Sequence, residues 1–297
     1  MDWRQTLEYV SQLSDTSILT IFVTAAAGAF FGAWGAQAVI SRGQRFGALV
    51  AELNAVNTAV TLSFIICNAY LGLKKQHVQP MSKRFCDLKQ EHEKFLEAAK
   101  EHREPKLLEF QFQADWQTLS PQRTPNEALE RILLDKVSIG GRGLSASAYL
   151  FGAIDSLIQS ITYRNTLIVD LQKSGPHHPK ALLDIYLGLS DANGTIDERF
   201  STSIDAISAY TDDCVFFAKV LGEDLREHGV RLRRRNRWKT WKRLPKITRI
   251  DWSQAANDGL FPPDELYKDW LSGFKQDRSR RERLCSWVKC KLSGIFA

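Results

Sequence analysis

The sequence predicts a mainly all-α fold: an N-terminal transmembrane helix, then an elongated antiparallel helical bundle or coiled coil, then a small basic C-terminal cap. Three observations carry that expectation. Residues 18–40 form an uncharged apolar run of 23 residues. Two later segments keep their apolar residues three and four apart over three heptads or more, as bundles and coiled coils do. Strand-like alternation is confined to a few residues after Leu108.

The expected organisation is a short extracytoplasmic tail (1–17), the span (18–40), a helical bundle body (41–230) and a basic, Trp-containing C-terminal region (231–297). At 1.5 Å per residue the run from Ile18 to Ile40 extends roughly 34 Å, enough for a hydrocarbon core of about 30 Å. Trp34 lies near its end, where an interfacial aromatic belongs. Ala36-Gln37-Ala38 resembles a signal-peptidase site. The preceding segment, however, carries Arg4 against Asp2, Glu8 and Asp15, and the run is longer than a signal core. An uncleaved anchor is the better reading.

Arg42 and Arg45 follow the span and only Arg4 precedes it. The positive-inside rule then places the N-terminus outside and the body in the cytoplasm, on a single-pass inner-membrane protein. Gly28, Gly32 and Ala36 repeat small residues at four-residue spacing. Close backbone approach there is an expected homo-oligomer contact within the membrane.

Leu53 to Leu73 is also uncharged, but Asn54, Asn57, Thr61 and Asn68 gather on one narrow face. Three readings stand: a core helix of the body, a second membrane span, or a pore-lining helix in an oligomer. The cations at Arg42 and Arg45 oppose a hairpin, so the core helix is preferred.

Beyond Pro80 the 3–4 spacing of Phe85, Leu88, His92, Phe95 and Ala99 predicts an amphipathic helix ending before Pro105. Leu108 to Gln113 alternates, which fits a short strand or an extended crossing segment. Pro125-Asn126-Glu127 opens a short helix to about Val137. Gly140, Gly141 and Gly143 then interrupt it without the order of a phosphate loop. The first long seam is Leu150, Ile154, Leu157, Ile161, Arg164, Ile168 and Leu171. The second is Phe200, Ile204, Ile207, Thr211, Cys214, Ala218, Leu221, Leu225 and His228. A short helix, Ala181 to Leu189, links them.

No motif announces chemistry. The six histidines (His77, His92, His102, His177, His178, His228) lack metal-ligand spacing, and no nucleophile elbow, kinase or deaminase signature is present. Neither metal nor cofactor is expected, nor enzymatic activity. The five cysteines form no CxxC pair, which suits reduced thiols.

Net charge is +6, but residues 231–297 hold 18 Lys/Arg against 7 Asp/Glu, while the rest of the chain is mildly acidic. Within this region Arg233, Arg234, Arg235, Arg237, Trp238, Trp241, Lys242 and Arg243 interleave cations with tryptophan. An anionic partner is expected, with an anionic lipid surface ahead of nucleic acid because the anchor holds the region near the membrane. The functional expectation is a non-enzymatic, membrane-anchored helical scaffold or sensor that oligomerises and engages a protein partner or an anionic surface. The alternative is a membrane-perturbing, pore-forming effector of toxin or phage-defence type, using the asparagine-striped helix.

Overall fold

The computed structural model describes residues 3–101, 110–175, 178–190, 194–237 and 243–274. The protein is mostly helical, and among the described residues there is no β-strand. The one bridge found there joins Ser190 to Ile196.

The longest element begins as α1 (Trp3–Leu73), passes through a widened π-helical turn (Lys74–Val78) and continues as α2 (Gln79–Glu101). The widened turn stands just before Pro80. Proline has no N–H to donate one turn back and its ring crowds that carbonyl, so local unwinding lets the helix pass. Helix α1 starts at Trp3, so the segment expected as a tail already has helical backbone.

The surroundings of α1 change along its length. Phe30, Trp34 and Val39 are 65–70% exposed, whereas Leu53, Val56, Val60 and Ile66 are fully buried. Among the described residues one helix, Val23–Lys100, is by length and composition long and apolar enough to cross a membrane.

The remaining helices are α3 (Asn126–Lys136), α4 (Gly141–Ser174), α5 (Pro179–Leu187), α6 (Arg199–Asn236) and the short α7 (Ser253–Asn257) and α8 (Lys268–Gly273). Helix α6 lies at the centre. On one side it packs against α4, with Arg142 bound to Asp224, Tyr149 stacked on Phe217 and Arg164 over Phe200. On the other it packs against the second half of α1, where Glu52 meets His228, Ser63 meets Ala218, Cys67 meets Val215 and Lys74 meets Asp212. In both contacts the numbers fall along one helix as they rise along the other.

The two seams form the heart of this packing. Leu150, Ile154, Leu157, Ile161, Arg164 and Ile168 are buried, as are Phe200, Ile204, Ile207, Thr211, Cys214, Ala218, Leu221 and Leu225. Glycine keeps α1 and α6 close. A Cβ on Gly229 would meet Val56 Cγ1 at 2.9 Å and Ile247 Cδ1 at 3.0 Å. The segment from Phe110 to Thr124 crosses this layer without a strand partner. Asn165 holds it by accepting from the Leu119 N–H at 3.0 Å and donating to the Leu119 carbonyl at 2.7 Å. The alternation after Leu108 therefore belongs to an extended crossing segment: Phe110, Phe112 and Trp116 pack onto the core.

Leu157 is 1% exposed and Leu134 is 69% exposed. Truncating a buried leucine removes its transfer energy and leaves a cavity. Leu157→Ala is therefore expected to lower unfolding free energy by about 2–5 kcal/mol in chemical denaturation. Leu134→Ala is expected to stay within about 0.5 kcal/mol.

Candidate functional site

Three features are candidates for function: the bare apolar segment of α1, the polar face of the same helix further on, and the basic end of α6. The first carries Gly28 and Gly32. A Cβ on either would meet nothing within 4 Å, so none of the described residues fills that face. Ala36 is likewise exposed.

The polar face is occupied by the chain's own C-terminal segment. Residues 243–274 return along the body as a strap beside α1 and α6. Asn57 Nδ2 donates to the Lys246 carbonyl at 2.9 Å, and the Thr248 N–H donates to Asn57 Oδ1 at 2.9 Å. The carboxamide thus pairs with an extended backbone as a neighbouring strand would. Thr61 instead donates to the Asn57 carbonyl on its own helix at 3.0 Å, and Asn54 and Asn68 stay exposed.

Further along, Trp252 sits against Phe64, Lys75 pairs with Asp258 at 2.7 Å, and Lys74 donates to the Leu260 carbonyl at 2.8 Å. Strap and α1 therefore run in the same direction. The strap ends on α6, where Tyr267 stacks on Phe216 with centroids 3.6 Å apart and donates to Asp213 at 2.8 Å. Sequence reasoning gives Tyr267 and Lys74 no role and suggests solvent-exposed carboxylates at Asp212-Asp213 and Glu223-Asp224, whereas Asp212 and Asp213 are half-buried against Lys74 and Tyr267 and Asp224 is buried against Arg142. The available signal was the lysine pair Lys74-Lys75 closing an uncharged helical run.

The ionisable groups here serve packing. Lys74 is buried and ion-paired with Asp212 at 2.6 Å. Burial pushes the Asp213 carboxyl up, although the Tyr267 hydrogen bond opposes this. Burial pushes the Tyr267 phenol up too, reinforced by Asp213. The Cys67 thiol is pushed up to about 12 by burial, and Cys214 is raised for the same reason. Both thiols are protonated at neutral pH and poor nucleophiles.

The glycine cluster lines a cavity of about 470 Å³ with Ile139, Arg142, Asp224, Glu227, Arg231, Gly273 and Phe274. Its two arginines are engaged by carboxylates, Arg142 by Asp224 and Arg231 by Glu227. The lining charges cancel, so the cavity has no pull on an anion. The histidines are dispersed. His92 packs edge-on against Phe110, His178 accepts from the Lys180 N–H at the start of α5, and His228 faces Glu52. Among the described residues no group of His, Cys, Asp and Glu could hold a metal ion.

Of the expected anionic-partner residues, Arg233, Arg234, Arg235 and Arg237 lie at the end of α6. Arg243 opens the strap and is exposed. Trp238, Trp241 and Lys242 lie outside the described residues. No established protein family, no curated protein and no solved structure matches this chain.

The double hydrogen bond at Asn57 gives a direct test of the strap. Asn57→Ala is expected to cost about 1–3 kcal/mol and to speed exchange of the Thr248 amide without affecting core amides. Maleimide labelling provides a second test. In a Cys285→Ser/Cys290→Ser background the exposed Cys86 should react promptly, and Cys67 and Cys214 only after denaturation.

Proposed function

We propose that this chain is a membrane-anchored helical scaffold or sensor. Residues 18–40 form its single span in the cell membrane, with the N-terminus outside and the body in the cytoplasm. The body is an elongated antiparallel helical bundle closed by the C-terminal strap. Copies of the chain associate through Gly28, Gly32 and Ala36. The basic C-terminal region engages a protein partner or an anionic surface.

The observation that carries this reading is the change of environment along α1. From Val23 to about Ala48 the helix is uncovered on nearly every side, and the sequence carries no charge between Ile18 and Ile40. From Leu53 onward the same helix has one face in the core. A helix that is apolar all round needs a nonpolar surrounding. The body does not provide it, and a bilayer does. The open Gly28 and Gly32 face supports self-association, because small residues let helix backbones approach in lipid.

The pore-forming alternative requires Asn54, Asn57, Thr61 and Asn68 to face a lumen. Asn57 is held by the strap, so that reading needs the strap to leave first.

The full chain is expected to stay in the membrane pellet after alkaline carbonate extraction, and a chain lacking residues 1–45 to be soluble and folded. Release of the full chain by carbonate would overturn the anchor. Gly28→Leu/Gly32→Leu is expected to reduce self-association in detergent without changing membrane retention, as read by crosslinking.

A further inference from the structure

The register of α6 against α1 has a consequence at the membrane surface. Paired residues are Glu52 with His228, Val56 with Gly229, Ser63 with Ala218, Cys67 with Val215 and Lys74 with Asp212. Their numbers add up to about 283 in every case. Continued at 1.5 Å per residue, the same register sets Arg231 level with Glu52 and Arg237 level with about Phe46. The last turns of α6 therefore rise alongside the exit of the span. Ile40 lies only about 9 Å further along the axis.

At that level the two helices carry Arg42, Arg45, Arg231, Arg233, Arg234, Arg235 and Arg237, far apart in sequence. Neither residues 41–51 of α1 nor residues 229–237 of α6 include an Asp or Glu. Along these two helices the nearest acids are Glu52 and Glu227, and from α3 Asp135, followed by Lys136, borders Ala48 and Ala51. Glu52 accepts from Ser138 and faces His228, and Glu227 pairs with Arg231. Arg42, Arg45, Arg234 and Arg235 are exposed, with no ion pair among the described residues.

We infer that this collar of arginines binds the anionic phospholipid headgroups of the leaflet from which the span emerges. The inference rests on the anchor reading and names the partner of the basic region. Guanidinium suits the purpose: its planar fork donates two parallel hydrogen bonds to a phosphate and keeps its charge at any physiological pH. Basic groups next to a span gain from an anionic leaflet mainly within about a Debye length of the headgroups, roughly 8–10 Å. The headgroup layer itself reaches roughly 5–7 Å beyond the hydrocarbon, so Arg42, Arg45 and Arg237, roughly 3–9 Å past Ile40, and Arg234 and Arg235, roughly 12–14 Å past it, stand within that reach, whereas Arg231 lies beyond it. Headgroup binding would hold α6, and with it the strap and core, at a fixed height beneath the bilayer.

The experiment uses the full chain in detergent, offered equal amounts of phosphatidylglycerol and phosphatidylcholine, with the retained lipids read by native mass spectrometry. Wild type should retain an excess of phosphatidylglycerol that shrinks as salt rises. Arg42→Gln/Arg45→Gln/Arg234→Gln/Arg235→Gln should lose it, with each neutralisation weakening binding about fivefold. Lys83→Gln/Lys89→Gln/Lys94→Gln/Lys100→Gln changes the same charge far from the span and should retain it.

Retention in the supplied ratio, or equal loss in both variants, would overturn the collar. So would binding of an RNA homopolymer that the collar variant alone loses, when lipid retention shows no preference. Carbonate release of the full chain would instead defeat the anchor, a failure that the lipid ratio does not mimic.

Discussion

Helix α6 is buried against two partners at once, and its register against α1 is held by groups that resist slipping. Ser63 donates to the Ala218 carbonyl at 2.6 Å, and the Cys67 thiol reaches the Val215 carbonyl. Gly229 admits Val56 where a Cβ would not fit. Sliding α6 by one turn would part the buried Lys74 from Asp212 and would drive a larger side chain onto Val56. Either change costs on the order of 1–3 kcal/mol, a large share of a typical domain's stability. The position of the strap follows from this register. So does the level at which the basic end of α6 stands.

Buried charge adds a second constraint. Arg164 lies in the seam of α4 at 0% exposure. Its guanidinium donates to the Gln117 and Asp115 carbonyls and lies over the Phe200 ring. Burial pushes it down from the usual arginine range, and Asp115 counters this. Dipoles and a ring face replace its water, so the crossing segment from Asp115 to Gln117 must be in place before the charge can enter the core. Lys74 does the same for the strap, since its ammonium is shared between Asp212 of α6 and the Leu260 carbonyl. Each buried cation ties an irregular segment to the central helix, so loops and core close together.

The long seams were legible because a helix repeats every 3.6 residues and the core selects one face. Leu150 through Ile168 and Phe200 through Leu225 follow that rule residue by residue, polar members included. The pairing of the two halves was not legible. The contact between Ser63 and Ala218 joins residues 155 apart and leaves no local trace. The strap was hidden for another reason. Several of its contacts run from side chains of α1 to its own backbone, at Asn57 and Lys74, and a backbone carbonyl carries no sequence signal. A row of asparagines on an apolar helix is by itself compatible with a core, a span or a pore, and only the cations at Arg42 and Arg45 favoured the core. Only the partner across from it separates those readings, and for Asn57 that partner is Lys246 and Thr248.

The two environments of α1 meet within about ten residues, between Ile40 and Leu53. This short stretch holds Arg42 and Arg45, then Gly43 and Gly47, and its side chains are mostly exposed. A bilayer around the span would end at the first of these cations, since burying a guanidinium in hydrocarbon is costly. The core begins where Leu53 first disappears beneath α6. Between the two, α1 is only partly covered, its last residues before the core lying beside the end of α3. The end of α6 is brought to that level, beside the end of α3, and it arrives there with a row of arginines. The charge asymmetry of the chain thus becomes a spatial one. Cations remote in sequence are carried by one antiparallel helix pairing to the short section of α1 that neither core nor bilayer would cover.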